Sequence, residues 1–164
     1  MQSIFGIGVD IVQHSRILNN IFSFSGKDNK IHHIQNIFQY SEFPKNDFRV
    51  LNKLKRDFSW NGRFLERIYT EGEIKEGISR ADYLGFFSSR FAAKEACVKA
   101  LKTGFGKGVN YRQIEIIKNT GLPQLKLYGR AGEIAEKEGL SVHLSISHEK
   151  SYSVAFVIAE KIIE

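Results

Sequence analysis

Two carboxylates and several cations in this sequence have the types and spacing that suit chemistry on a phosphorylated ligand. Asp10 follows two glycines in GIGVDI, and such glycines let another backbone or a ligand approach closely. Glu95 and Lys99 lie four residues apart in a helical pattern, so they share nearly one helical face. Carboxylate oxygens bind hard divalent cations, and lysines neutralise phosphate charge. Structural alternatives exist, because Asp10 can cap a helix and Glu95 can pair with Lys99 on a solvated surface.

Two further motifs carry groups that suit phosphate binding. TGFGKG, residues 103–108, does not fit the P-loop pattern, but its backbone N–H groups and Lys107 can face a phosphate. Alternatively, Gly104 is only the stop signal of the preceding helix. His148 follows a strand in SISHEKSY, where a histidine is ordinarily solvated and where phosphate binding or base catalysis is the alternative. Cys97, the single cysteine, excludes an intramolecular disulfide, and its helical setting favours buried packing.

The elements that must position these residues are helices and strands without strict βαβ alternation, which indicates an α+β fold. The patterns predict strands over 3–7, 114–118, 124–128, 142–147 and 152–160. They predict helices over about 11–18, 63–70, 81–101 and 129–138. The second and third strands read as a hairpin across the turn NTGLP. Thr70 and Glu73 have the spacing of a capping box, which would begin another helix.

We predict a single domain over 1–164 that carries one insertion. The segment from about 19 to 62 is rich in Asn, Lys and Ser without a sustained apolar period, which predicts a surface insertion. Its adjacent His32 and His33 are not spaced for metal ligation on one helical face. The net charge of +6 favours an anionic partner, whether nucleic acid, a phosphorylated small molecule or an acidic protein. We expect no membrane span and no secretory signal.

Taken together, the motifs resemble those of the holo-(acyl-carrier-protein) synthases, which are compact phosphopantetheinyl transferases. The matches, in order, are GIGVDI at 6–11, FLERIYT at 64–70, RFAAKEACVKA at 90–100, Thr103–Gly104 and VHLSISH at 142–148. The resemblance covers nearly all of the chain except the predicted insertion. It implies the phosphopantetheinyl transferase fold, in which a small antiparallel sheet packs with a long helix and strands meet at the centre of a homotrimer.

The resemblance also implies a reaction and a metal. The enzyme would transfer 4′-phosphopantetheine from coenzyme A to a serine of apo acyl carrier protein, in fatty-acid or another carrier system. Adenosine 3′,5′-bisphosphate would leave. Asp10 and Glu95 would hold Mg²⁺, and Lys99 would stabilise charge on the diphosphate. Glu95, directly or through a metal-bound water, is the first candidate for the general base, followed by Asp10 through a water and then by His148.

Further roles implied by the resemblance concern coenzyme A and the carrier protein. Arg90 would hold the 3′-phosphate, where a planar bidentate donor suits best. The implied coenzyme A-binding residues are Arg90, Lys99, Thr103, Gly104, Gly106, Ser147 and His148. Because the carrier is acidic in this family, Arg16, Arg63 and Arg67 are implied docking residues. The chain departs from compact members at Lys102, where those members tend to have glycine.

Two alternative functions stay open from the sequence. A basic nucleic-acid-binding module is compatible with the charge, but NKLKRDF at 52–58 is the only compact basic cluster, and no RNP-like or helix-turn-helix signature is present. A catalytically inactive carrier-binding homologue is the other, and the presence of both Asp10 and Glu95 argues against it. We therefore expect neither nucleic acid nor a membrane as partner. The expected location is the cytoplasm, or a plastid-like organelle if the source is a eukaryote.

Overall fold

The computed structural model describes residues 2–21, 62–118 and 121–162. The helices are α1 His14–Ile21, α2 Gly62–Ile68, α3 Glu71–Ser79, α4 Tyr83–Ala100 and α5 Gly129–Lys137, with a 3-10 helix at Tyr111–Gln113. The strands are β1 Gln2–Gln13, β2 Ile114–Ile117, β3 Gln124–Leu127, β4 Leu140–His148 and β5 Tyr152–Ile162. The predicted insertion lies outside the described residues except at its two ends, and so do His32, His33 and the basic cluster at 52–58.

An antiparallel sheet in the order β1-β5-β4 packs against the long helix α4. Alternate side chains of β1 and β5 face that helix, and β5 contributes Ala155, Val157 and Ala159 to the core. β2 and β3 form a separate antiparallel hairpin, as predicted. The arrangement confirms the α+β class and the pairing of a small antiparallel sheet with one long helix.

The two glycines of GIGVDI allow α4 to lie directly on β1. A Cβ atom at Gly6 would collide with the carbonyl oxygen of Ala100, and one at Gly8 with that of Ala96. Within one chain, the close approach that these glycines permit is therefore that of a helix backbone. This crossing fixes where Asp10, two residues after Gly8, lies relative to the end of α4.

The start of the chain differs from its prediction. β1 continues to Gln13, pairing with β5 along its length from Gln2↔Ile162 to Gln13↔Tyr152, so the strand is longer than predicted. Asp10 lies inside this strand opposite Ala155, and α1 begins at His14. The interpretation of Asp10 as a helix cap is therefore wrong, because pairing with β5 keeps the chain extended beyond it.

The helices around the core begin and end largely as predicted. Thr70 and Glu73 form the predicted capping box at the start of α3. α4 is buried on nearly all sides, and Cys97 lies in the core, where burial raises the pKa of its thiol to about 12. After α4, Lys102 takes the left-handed conformation with φ 58°, at the position where the family tends to have glycine. Among the described residues, no helix is long and apolar enough to cross a membrane.

Candidate active site

Lys99 connects the end of α4 to the carboxylate of Asp10 on β1. Its Nζ donates hydrogen bonds to Asp10 Oδ1 at 2.7 Å and to the carbonyl oxygen of Val9 at 2.8 Å. The side chains of Lys99 and Asp10 are 48% and 19% exposed, so solvent and ligands reach the pair. Within the described residues, Lys99 pairs with Asp10 and not with Glu95, because the strand crosses the helix at this point.

Glu95 lies one helical turn before Lys99 and is held by a residue that the sequence did not single out. The hydroxyl of Tyr111 donates a 2.6 Å hydrogen bond to Glu95 Oε1. The Tyr111 ring stacks on Phe105 with 3.6 Å between centroids, and on Phe91 with 5.5 Å. Burial, and then the hydrogen bond to Glu95, raise the pKa of Tyr111, so its phenol is a donor at neutral pH. In the sequence, the only signal for Tyr111 was its position just after the glycine loop.

Asp10 and Glu95 form a donor set that fits Mg²⁺. They project from β1 and α4 near the crossing of Gly8 over Ala96, and each keeps one carboxylate oxygen without a hydrogen bond to the described residues. No group of three or more His, Cys, Asp or Glu side chains converges among the described residues. Mg²⁺ commonly takes only one or two protein carboxylates and completes its octahedron with waters and substrate phosphates. Two hard oxygen donors therefore suit this ion.

A polar cleft of about 280 Å³ brings together two residues that the sequence analysis had connected only through resemblance. Arg90 of α4 and His148 at the end of β4 both line it. The complete lining is Arg80, Asp82, Gly85, Phe86, Ser89, Arg90, Lys118, Pro123, Ile146 and His148. Because cations outnumber the single carboxylate in this lining, the cleft suits an anionic ligand.

Arg90 is a nearly buried cation with no carboxylate bound to it among the described residues. It is 8% exposed, its guanidinium carbon lies 3.4 Å from the centroid of the Phe86 ring, and its Nε has no partner there. Its Nη1 makes a long hydrogen bond of 3.4 Å to Ser89 Oγ. Burial lowers the pKa of Arg90 to about 10, so the group stays charged at neutral pH. A desolvated cation with unused donors at a cleft is a suitable phosphate-binding group.

The other implied coenzyme A residues occupy different positions. Ser147 pairs with Val154, which in turn lies opposite the exposed Ile11, so Ser147 faces the other side of the sheet from His148. Within one chain, Ser147 therefore does not join the cleft. Neighbouring residues on a strand point to opposite faces, and the role of Ser147 in binding coenzyme A stays a prediction.

The glycine loop follows α4 directly and reaches the Glu95 side of the site. Thr103 Oγ1 and the backbone N–H groups of Thr103 and Gly104 all donate to the carbonyl oxygen of Val98, which ends the helix. Gly104 and Gly106 have positive φ angles of 63° and 158°. Phe105 between them stacks on Tyr111, so the loop is anchored next to the tyrosine that binds Glu95.

Two of the three implied docking arginines lie near this tyrosine. The Arg16 guanidinium carbon is 5.7 Å from the centroid of Phe91, which also packs on Tyr111. Arg67 and Arg16 both act to lower the pKa of Tyr111, although burial and Glu95 outweigh them. Arg63 is exposed on α2, one turn before Arg67. Positive charge therefore lies beside the Glu95 end of the site.

A buried ion pair that the sequence analysis did not predict contacts the backbone of Tyr111. Lys94 Nζ lies 2.7 Å from Glu73 Oε2 and donates to the carbonyl oxygen of Tyr111 at 3.1 Å. Glu73 Oε1 accepts a hydrogen bond from the backbone of Ile116. Burial lowers the pKa of Lys94, and Glu73 opposes this shift. The pair connects α3, α4 and β2 in the interior next to Tyr111.

Comparison with known proteins identifies the family. The 4′-phosphopantetheinyl transferase superfamily matches residues 46–157. The chain is 41% identical over 118 residues to a holo-(acyl-carrier-protein) synthase of Maridesulfovibrio salexigens, covering 70% of this chain and 94% of that protein. It is 43% identical over 110 residues to the synthase of Carboxydothermus hydrogenoformans, covering 66% and 89%.

Solved structures agree with the sequence comparison. The holo-(acyl-carrier-protein) synthase of Neisseria meningitidis superposes with a TM-score of 0.66 at 31% identity, covering 97% of this chain and all (100%) of that one. The synthase of Bacillus anthracis in complex with CoA (3′,5′-ADP) gives 0.59 at 31% identity, covering 97% and 98%. These matches confirm the expected fold and enzyme class. The chain belongs to the holo-(acyl-carrier-protein) synthases of the 4′-phosphopantetheinyl transferase superfamily.

Proposed function

We propose that this chain transfers 4′-phosphopantetheine from coenzyme A to a serine of apo acyl carrier protein, with Mg²⁺ held by Asp10 and Glu95. Family membership supports the reaction. The observation that carries the assignment of residues is the ion pair of Lys99 with Asp10 where β1 crosses α4, one helical turn after Glu95. The resemblance implied that these three residues act together, and the strand crossing supports this by bringing β1 against α4.

The reaction exchanges one phosphorus–oxygen bond for another. The serine oxygen bonds to the phosphorus next to the pantetheine arm, and the bond from that phosphorus to the bridging oxygen breaks. Adenosine 3′,5′-bisphosphate leaves with the electron pair. When bound, Mg²⁺ would neutralise charge on the diphosphate oxygens. Lys99 Nζ, exposed at the same place, stabilises the charge that grows on the leaving phosphate.

The serine proton needs an acceptor, and Glu95 suits this role best. Tyr111 occupies its Oε1, which leaves Oε2 for the serine hydroxyl, directly or through a water. Asp10 through a water is the second candidate, since Lys99 occupies only its Oδ1. His148 is less suitable, because it lines the cleft that contains Arg90.

Coenzyme A and the carrier protein then occupy opposite ends of the site. Arg90 and His148 hold the nucleotide end in the polar cleft, with Arg90 on the 3′-phosphate. Arg16, Arg63 and Arg67 face the acidic carrier, so replacing one of them slows association more than chemistry and weakens the salt dependence. Thr103, Gly104 and Gly106, in the loop anchored beside Tyr111, would contact the cofactor.

The outer face of the sheet supports a homotrimer. Ile7, Val9 and Ile11 of β1 are 51%, 49% and 64% exposed, and Phe156 of β5 beside them is 39% exposed. A row of large apolar side chains on one sheet face is typical of an interface. Strands of three copies that meet at this face would cover it. The single catalytic domain over 1–164, the role of the insertion and the cellular location stay predictions.

The test is the intact mass of apo acyl carrier protein after incubation with the protein, coenzyme A and Mg²⁺. We expect the carrier to gain one phosphopantetheine, and a chelator to abolish the gain. Glu95→Ala should abolish turnover while circular dichroism shows a folded protein. A folded wild-type protein that leaves a competent carrier unmodified, yet binds it, would instead favour the inactive carrier-binding homologue.

A further inference from the structure

We infer that Tyr111 is a positioning residue that fixes the carboxylate of Glu95 for the transfer step, an inference that rests on the function proposed above. Its hydroxyl donates to Glu95 Oε1 at 2.6 Å, the short distance typical of a hydrogen bond to an ionised carboxylate. Glu95 has three rotatable side-chain bonds and lies on a partly open face of α4. A second fixed point at the carboxylate therefore decides where its free oxygen points.

Tyr111 is itself held from three directions, so it can impose an orientation on a neighbour. Its ring lies between Phe105 of the glycine loop and Phe91 of α4, at centroid distances of 3.6 and 5.5 Å. Its carbonyl oxygen accepts a hydrogen bond from the buried Lys94. The loop, the helix and the buried ion pair thus fix the ring, the backbone and, through the ring, the hydroxyl.

The orientation that results separates the two oxygens of Glu95. Oε1 is occupied by the phenol, and Oε2 makes no hydrogen bond with the described residues. The Arg16 guanidinium lies over Phe91, which also stacks on Tyr111, so a docking arginine lies near this tyrosine. The hydroxyl therefore occupies one oxygen of Glu95 and leaves the other for the reacting groups.

Removing the hydroxyl should affect turnover more than it affects ligand binding. Without it, Glu95 samples several rotamers, and only some of them present the free oxygen to the reacting groups. We expect Tyr111→Phe to lower kcat by about tenfold, the effect of one charge-assisted hydrogen bond. The Mg²⁺ concentration for half-maximal activity should rise several-fold, and KM for coenzyme A should change less than about twofold, because Arg90 and the cleft are unaltered.

Tyr128→Phe is a matched control within the same chain. The hydroxyl of Tyr128 also donates a 2.6 Å hydrogen bond to a carboxylate, Glu115 Oε2, but in the β2–β3 region away from the site. Both substitutions remove one phenolic oxygen and keep a six-membered ring. We expect Tyr128→Phe to keep the wild-type kcat and Mg²⁺ dependence, while the two variants melt at similar temperatures.

Two measurements separate this inference from the proposed function. Transfer to the carrier in wild type tests the function, whereas calorimetric binding of coenzyme A with and without Mg²⁺ tests the position of Glu95 even where turnover is absent. Tyr111→Phe should weaken only the Mg²⁺-dependent part of that binding. An unchanged Mg²⁺-dependent part together with an unchanged kcat would overturn the inference.

A double-mutant cycle with Glu95→Gln tests whether Tyr111 acts through Glu95. If it does, adding Tyr111→Phe to Glu95→Gln causes no further loss of the Mg²⁺-dependent binding of coenzyme A. A full additional loss in the double variant would show that the phenol acts independently of Glu95, and would also overturn the inference.

Discussion

Two lysines of α4 form carboxylate pairs of the same length in opposite surroundings. Lys94 Nζ lies 2.7 Å from Glu73, and Lys99 Nζ lies 2.7 Å from Asp10. The side chains of Lys94 and Glu73 are 0% and 2% exposed, whereas those of Lys99 and Asp10 are 48% and 19% exposed. The two lysines are five residues apart on α4. We call Lys94–Glu73 the buried pair and Lys99–Asp10 the open pair.

The difference shows which pair holds the fold and which is available for chemistry. In the buried pair, Glu73 also accepts the backbone N–H groups of Thr70 and Ile116, and Lys94 also donates to Tyr111. Losing one partner would leave an uncompensated charge in the interior. In the open pair, water screens both charges, so the pair contributes little to folding and its members can turn to a metal or a diphosphate.

The largest effect should come from breaking the buried pair. Lys94→Met leaves Glu73 buried without its cation, and such a loss lowers the free energy of unfolding by about 3–5 kcal/mol. Urea unfolding followed by circular dichroism measures this change. The double variant Lys94→Met with Glu73→Gln removes the stranded charge and should recover part of the loss. A wild-type midpoint for Lys94→Met would mean that the buried pair does not hold the fold.

Breaking the open pair should lower activity strongly and change stability little. Lys99→Ala removes a cation from the position of the leaving phosphate, which should lower kcat/KM by about 100-fold or more. The free energy of unfolding should change by less than about 1 kcal/mol, because the pair is exposed. Steady-state transfer assays and urea unfolding on the same sample give both numbers. A loss of stability as large as that of Lys94→Met would remove the contrast between the pairs.

The sequence predicted the open pair's residues but not their pairing. Asp10 and Lys99 were singled out by motif resemblance, yet they are 89 positions apart, and their contact depends on the glycines that let α4 lie on β1. Local patterns predicted the capping box, the hairpin and the long helix, because each depends on neighbours in sequence. The open pair depends on a tertiary crossing that no local pattern encodes.

The buried pair and Tyr111 escaped prediction for a related reason. Nothing in the sequence neighbourhood of Lys94 indicated that α3 and β2 cover it. Tyr111 lies in a short 3-10 helix with no periodic pattern. The extent of β1 was also misjudged, because pairing with β5 overrides the helical spacing of apolar residues after Asp10.

Arg90 sharpens the comparison, because it is buried like Lys94 but open to a ligand. With no carboxylate bound to it among the described residues, it should serve binding of the 3′-phosphate. Arg90→Ala should raise KM for coenzyme A by about 10- to 100-fold and change kcat less. With 3′-dephospho-coenzyme A as substrate, the variant and wild type should differ little. Arg90→Lys keeps the charge but loses the planar pair of donors, so its KM for coenzyme A should lie between those of wild type and Arg90→Ala. If Arg90→Ala raised KM equally for coenzyme A and for 3′-dephospho-coenzyme A, the 3′-phosphate would not be bound by Arg90.

The smallest effect concerns a buried base whose partner is uncharged. His14 Nε2 lies 2.9 Å from Ser153 Oγ, and burial lowers its pKa below 6.5, with Asp82 opposing the shift and His148 adding to it. Below about pH 6.5 the unfolded chain therefore binds this proton more readily than the folded one, so stability falls as the pH falls. His14→Gln keeps a hydrogen-bonding group beside Ser153 but takes up no proton. Its free energy of unfolding should depend less steeply on pH between 6.5 and 5 than that of wild type. An unchanged slope in His14→Gln would mean that burial does not disfavour the protonated form of His14 in the native state. His14 would then differ from Lys94, whose buried positive charge is balanced by Glu73.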